Sequence, residues 1–180
     1  MWESLNSAWL EFSEVDPREV TGSRLIELLQ WVKTVSHRYR GALLSTFLRD
    51  DGYAFSQIGN FVERADNTAR ILDMKYYVLL PRPDLVGSEV DIQQWTLILR
   101  AASAHRSYRH VYHDRYKASN IADYLILRPE MPRSLIFSIG WINRTLDMLT
   151  EIHGGESDAH VAAAEVTAML EGNSMERIFE

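Results

Sequence analysis

From Ser56 to Leu80 the sequence SQIGNFVERADNTARILDMKYYVLL contains no proline and keeps a helical repeat throughout, which commits the middle of the chain to one long helix. Placed at about 100° per residue, Ile58, Phe61, Val62, Ala65, Ala69, Leu72, Tyr76 and Leu79 form one apolar arc, expected to face a core. Glu63, Asp66, Asn67, Arg70, Asp73 and Tyr77 form a second arc, and Ile71 and Val78 add apolar surface beyond it. A helix of this length runs the full length of a small bundle at roughly 1.5 Å per residue. Its polar arc therefore either meets neighbouring helices or faces water. Asp66 with Arg70, Arg70 with Asp73, and Glu63 with Asn67 are pairs that any solvated helix can use for about 0.2–0.5 kcal/mol each. The same residues enclosed between helices would make an internal site. Spacing alone leaves both readings open.

The rest of the chain repeats the helical pattern. Trp2, Leu5, Asn6, Trp9, Leu10 and Phe12 fit a short amphipathic helix that stops before Asp16-Pro17, since proline disfavours helix in the residue before it. Ser23 is a candidate N-cap for a second helix with apolar residues at Leu25, Leu28, Leu29, Val32, Val35, Tyr39, Leu43 and Phe47. Asp50-Asp51-Gly52 is expected to break it, and Pro81-Arg82-Pro83 to end the central helix. Ser88 to Asp91 resembles a capping box with Asp in place of Glu, opening a helix that carries Trp95 and Leu99 and ends in a basic stretch, His105 to Arg115. Cations near a helix C-terminus are favoured by its dipole, so that stretch reads as a capped helix end. A metal reading has only His110 and His113 one turn apart, and neither a His-Glu-x-x-His nor a Glu-x-x-His pattern occurs. Ser119 is expected to cap a short helix closed by Arg128-Pro129, and Pro132 to sit at the first position of the next. That helix, bearing Leu135, Ile139, Ile142 and Leu146, runs to Gly154-Gly155. An alanine-rich helix then covers residues 159 to 171. Alternating strand patterns are lacking. The fold class predicted is all-α: an antiparallel bundle of about six to seven helices around the long central one.

Composition narrows the function classes. Hydrophobic residues make up 46% and charged ones 24% of 180 residues, which suits one soluble domain, residues 1 to 180, with enough length to bury a core. A formal charge of −6 argues against a general nucleic-acid binder, which would carry a basic stripe. Cysteine is absent, so neither disulfides nor thiolate metal sites are available, and a cytoplasmic location fits. No apolar run approaches the roughly 18 residues of a membrane span. Phosphate loops and nucleophile elbows are missing as well. A self-sufficient nucleotide-dependent enzyme is not what this sequence describes.

The run Gly59 to Tyr76, GNFVERADNTARILDMKY, resembles the signature segment of the bacterial alpha-E family, with Glu63-Arg64 at its Glu-Arg motif. The similarity extends to Met1-Trp2-Glu3 with Asn6, to Thr46 with Leu48-Arg49-Asp50, to Trp95, and to Pro132-Arg133-Ser134. Family members carry an earlier Glu-Arg segment, so the chain resembles the C-terminal half of the domain. The N-terminal helix opens without a cap, which agrees with sequence preceding it. The resemblance implies an all-helical fold and association with ATP-grasp ligase-like and transglutaminase-like proteins, in peptide synthesis or modification.

Two functions follow as expectations. In the first, the chain is an accessory or binding module whose site comprises Thr46, Arg49, Glu63, Arg64, Asn67, Arg70, Tyr77, Arg133 and Ser134, with Arg133 either an anion contact or a surface arginine. In the second, the band is itself catalytic: Glu63, Asp66 and Asp73 perform acid/base chemistry or bind a hard divalent cation, and Arg49, Arg64 or Arg70 holds an anionic substrate. A purely structural scaffold is the remaining alternative. Glu63 is expected to be at least half buried and paired with Arg49 or Arg70. No transition metal or cofactor is expected. A homodimer is expected, with Trp2, Leu5 and Trp9, and Ile178 and Phe179 at the other end, at its interface.

Overall fold

The computed structural model describes residues 2–75, 86–113 and 116–172. Among them are eight α-helices and no strand, so the fold is all-α. They are α1 (Trp2–Ser13), α2 (Ser23–Thr46), α3 (Asp51–Met74), α4 (Glu89–Ala101), α5 (His105–Tyr112), α6 (Ala118–Ile126), α7 (Leu135–His153) and α8 (Asp158–Gly172). A short 3-10 turn at Pro17–Glu19 follows α1. The expectations for Tyr77, Pro81-Arg82-Pro83, Ile178 and Phe179 fall outside the described residues.

There is one more helix than the sequence pattern predicts, because the expected fourth helix is two. Ser103 takes a left-handed conformation with φ 54°. Around it the Ser103 N–H reaches the Arg100 carbonyl at 2.9 Å and the Ala104 N–H reaches Leu99 at 2.7 Å. Neither glycine nor proline marks the site, so local propensity could not reveal it. The turn instead serves packing: Ala104 and Tyr108 are both fully buried, and a straight continuation would not bring α5 onto α6.

Several helix starts also differ from expectation. Gly22, not Ser23, is the N-cap of α2, and no side chain caps that end. Asp51 and Gly52 do not break structure; they form the first turn of α3, because Asp50 caps it by accepting the Tyr53 N–H at 3.2 Å. Lys117 rather than Ser119 precedes α6. Pro132 lies ahead of α7, whose N-cap is Ser134, accepting from the Phe137 N–H at 3.1 Å. Ser88 does cap α4, accepting from the Asp91 N–H at 3.2 Å.

The chain divides into two compact units, Met1–Tyr53 and Ala54–Glu180. In the first, the connection after α1 turns the chain back so that α2 packs on α1. Phe12 stacks on Trp31 with ring centroids 6.2 Å apart, and the Trp31 indole N–H donates to the Glu11 carboxylate at 2.7 Å. That bond, seconded by the Ser7 hydroxyl, holds the Glu11 carboxyl below its usual pKa. Little else is enclosed: α1 has no buried residue and α2 has only Leu43.

The second unit holds the core. Leu72 of α3, Trp95, Ile98 and Leu99 of α4, Tyr108 of α5, and Ile121, Tyr124 and Leu125 of α6 form one cluster. Tyrosines dominate its α5–α6 side. The Tyr108 ring lies 4.8 Å from Tyr112 and meets Tyr124 edge-on at 5.5 Å. Burial and, for Tyr108, the neighbouring Tyr112 push both Tyr108 and Tyr112 up to about 12, and for Tyr112 the hydrogen bond to Asp123 at 3.0 Å acts in the same direction. A second cluster joins Phe61 of α3 to Ile142 and Leu146 of α7 and Ala163 of α8, with Phe61 stacked on Trp141 at 5.5 Å. At the α7–α8 corner, His160 Nδ1 accepts the Ser157 backbone N–H at 3.0 Å, while its Nε2 lies 2.8 Å from the Thr150 hydroxyl.

Candidate functional site

The site is built on α3, whose buried face differs from the arc read from the sequence. Its buried residues are Ala54, Gln57, Phe61, Thr68 and Leu72, and Lys75 just beyond is buried too. Together with Arg64 these positions fall within about 80° of arc on a 3.6-residue repeat. Polar groups therefore alternate with apolar ones on the inward face, and Arg64, Thr68 and Lys75 each bind a partner there.

Arg64 and Thr68, one turn apart, hold the turn that leads into α7. The Arg64 Nη1 donates to the Pro132 carbonyl at 3.0 Å, and its guanidinium lies 4.9 Å from the Phe61 ring centre. The Thr68 hydroxyl donates to the next carbonyl, Arg133, at 2.8 Å. Two successive carbonyls that point away from any helix ladder are thereby satisfied. Ser134, fully buried, finishes the junction by donating to the Arg128 carbonyl at 2.7 Å while capping α7. The arginine of the Glu-Arg pair is thus a latch between α3 and the 131–134 segment.

The glutamate of the pair points the other way. Glu63 is exposed, and its carboxylate accepts from Asn67 Nδ2 at 3.1 Å. Glu63 is not half buried as expected, and Arg70 does not pair with it. Arg49 finds its partners inside the first unit, donating to the Leu44 carbonyl at 2.6 Å and stacking over the Tyr53 ring at 3.9 Å. Arg70 binds Asp66 at 2.7 Å instead, and that carboxylate raises the arginine's pKa further. Asp66, Asn67, Arg70 and Asp73 are all exposed. The reason is geometric: these residues lie about half a turn or less from one another on the side of α3 opposite Phe61 and Leu72. Glu63, Asp66 and Asp73 do not gather into a trio, and among the described residues no three His, Asp or Glu side chains do.

Of the remaining expected site residues, Thr46 is exposed and its hydroxyl donates back to the Ala42 carbonyl at 2.8 Å within α2. Arg133 is partly buried and enters the junction through its carbonyl. The structure therefore brings Arg64, Arg133 and Ser134 together and leaves Glu63, Asn67 and Arg70 on a neighbouring exposed band.

The sequence reading missed a deeply buried ion pair. Lys75 Nζ lies 2.5 Å from Asp91 Oδ1, with side chains 1% and 5% exposed. Gln94 accepts a second bond from Lys75 at 2.8 Å, the Trp95 ring lies 5.3 Å from the ammonium, and the Gly87 N–H donates to the other Asp91 oxygen at 2.9 Å. Every strong donor and acceptor of the pair has a partner, the condition under which a buried pair is tolerated. One sequence signal existed: Lys75 lies one turn beyond Leu72 and Ile71, on the core arc.

A family model matches residues 1–180, that of Alpha-E, described as "a predicted alpha-helical domain with a conserved ER motif". No curated protein and no solved structure matches the chain. Among the described residues no helix is long and apolar enough to cross a membrane.

Proposed function

The chain belongs to the Alpha-E family, and from that premise we propose that it is an accessory, binding module: α3 presents its exposed band of Glu63, Asp66, Asn67, Arg70 and Asp73 to a partner protein. By family resemblance the partner is an ATP-grasp ligase-like enzyme of peptide synthesis or modification in the cytoplasm, with a transglutaminase-like protein as a further associate. The single observation that supports this reading is the division of labour on α3. Arg64, Thr68 and Lys75 fasten its inner face to the rest of the unit, which leaves a rigid helix displaying alternating acid, amide and guanidinium groups outward. A rigid display loses little side-chain and backbone freedom on binding.

Catalysis by the band is the weaker reading because its carboxylates are spread and engaged. Asp66 is closed by Arg70 and Glu63 by Asn67. A general base needs a free lone pair within reach of substrate and some shelter from water.

The test is co-purification of the tagged chain from its native host with the ATP-grasp-like protein. The band variant Asp66→Ala, Arg70→Ala, Asp73→Ala should lose that protein while its helix content and melting transition stay unchanged. Retention of the partner by this folded variant, or turnover that depends on these carboxylates, would overturn the proposal.

A further inference from the structure

The α1–α2 hairpin buries almost nothing, yet its side chains are those of a core. On α1, Trp2, Leu5, Trp9 and Phe12 lie within about a quarter turn of one another and are 73%, 47%, 68% and 50% exposed. On α2, Leu25, Ile26, Leu29 and Val32 form a matching strip, 43% to 69% exposed. The contact between the two helices is marked by Phe12 and Glu11 against Trp31. The α1 strip adjoins that contact through Phe12, the α2 strip lies between a quarter and half a turn round from Trp31, and in helices that run back against each other both fall to the same side. Together they leave one side of the hairpin largely apolar.

We propose that this face is a dimerisation surface, and that it is occupied by the same hairpin of a second copy, stacked about a two-fold axis with α1 of one copy against α2 of the other. The exposed area selects a second copy. Aromatic side chains offer roughly 150–250 Å² each and aliphatic ones somewhat less, so the exposed part of the two strips is on the order of 800 Å². Monomers rarely expose an apolar patch beyond about 300–600 Å², whereas about 800 Å² per partner is what a standard stable interface buries. A two-fold axis parallel to the hairpin keeps residue levels and sets the α1 strip of one copy against the α2 strip of the other across the seam. An isologous contact of this kind closes on itself and stops at two copies.

The pairing does not involve the α3 band, so loss of the enzyme partner from the band variant leaves it standing. Light scattering and sedimentation over a dilution series should show a dimer at micromolar concentration. Trp9→Glu with Leu29→Glu should give a monomer that keeps the helix content of the second unit. A monomer at every concentration with Trp2 and Trp9 shielded from acrylamide would mean that the chain covers the face itself, and overturns the proposal. So does a dimer that survives the double glutamate variant.

Discussion

Arg64 and Glu63 are neighbours in sequence with opposite surroundings, so equivalent perturbations should have unequal costs. Arg64→Met keeps the aliphatic stem against Phe61 and removes only the guanidinium. It loses a charge-assisted hydrogen bond to the Pro132 carbonyl, worth about 1.5–3 kcal/mol, and a ring contact worth about 0.5–1 kcal/mol. It also leaves that carbonyl without its donor. The net loss should be on the order of 2–4 kcal/mol. For a chain of this length each kcal/mol moves the melting temperature by about 2–4 °C, so a drop of roughly 5–15 °C is expected. Glu63→Gln, on an exposed position whose amide oxygen still accepts from Asn67, should stay within about 0.5 kcal/mol. Thr68→Val removes the neighbouring latch on the Arg133 carbonyl and, because both bonds hold one segment, should combine with Arg64→Met less than additively. Urea melts of the four proteins followed by far-ultraviolet circular dichroism, with calorimetry for the midpoints, measure all of this. If Glu63→Gln proves as costly as Arg64→Met, or if Arg64→Met costs under half a kcal/mol, the assignment of the latch to the arginine is wrong.

Three further outcomes are expected. Lys75→Met strands the Asp91 carboxylate inside the core and should destabilise by about 3–5 kcal/mol, whereas replacing both partners with apolar residues should recover part of that loss; chemical denaturation of the two variants decides it. Ser103→Gly relieves a left-handed residue that has a Cβ, at an exposed position, and should raise stability by about 0.5–1 kcal/mol; an unchanged or lowered midpoint refutes the claim that this turn is strained. Tyr108 and Tyr112 ionise at about 12 in the folded chain and near 10 when unfolded. A folded pKa above the unfolded one contributes stability that is complete below about pH 10 and lost as pH rises towards 12. Unfolding free energy should therefore fall over that window, and two tyrosines should titrate late by their absorbance at alkaline pH. A spectrum in which all tyrosines ionise together near pH 10 contradicts it.

The helical class was legible because it rests on a repeat that each segment carries in itself: Phe61, Leu72 and their spacing determine a helix without reference to any neighbour. Membership of the Alpha-E family was legible for the same reason, since the Glu63-Arg64 run is contiguous. Capping was legible where a side chain acts within its own turn, as Ser88 does, and failed at Ser119 and Pro132, where the path of the adjoining segment decides the start. What only tertiary structure decided was which polar residues on α3 go inward. Arg64, Thr68 and Lys75 share their arc with Phe61 and Leu72, and a hydrophobicity pattern counts them as interruptions. Their burial is favourable only because the Pro132 and Arg133 carbonyls and the Asp91 carboxylate, far along the chain, arrive to receive them. Glu63 and Arg70 have no such acceptor or donor awaiting them inside and remain on the surface. The break at Ser103 belongs to the same class, since no local residue requires it and it is held by the packing of Tyr108 against Tyr124. A sequence states the periodicity of a helix, but the desolvation of a polar group is compensated by partners that only the folded chain brings within reach.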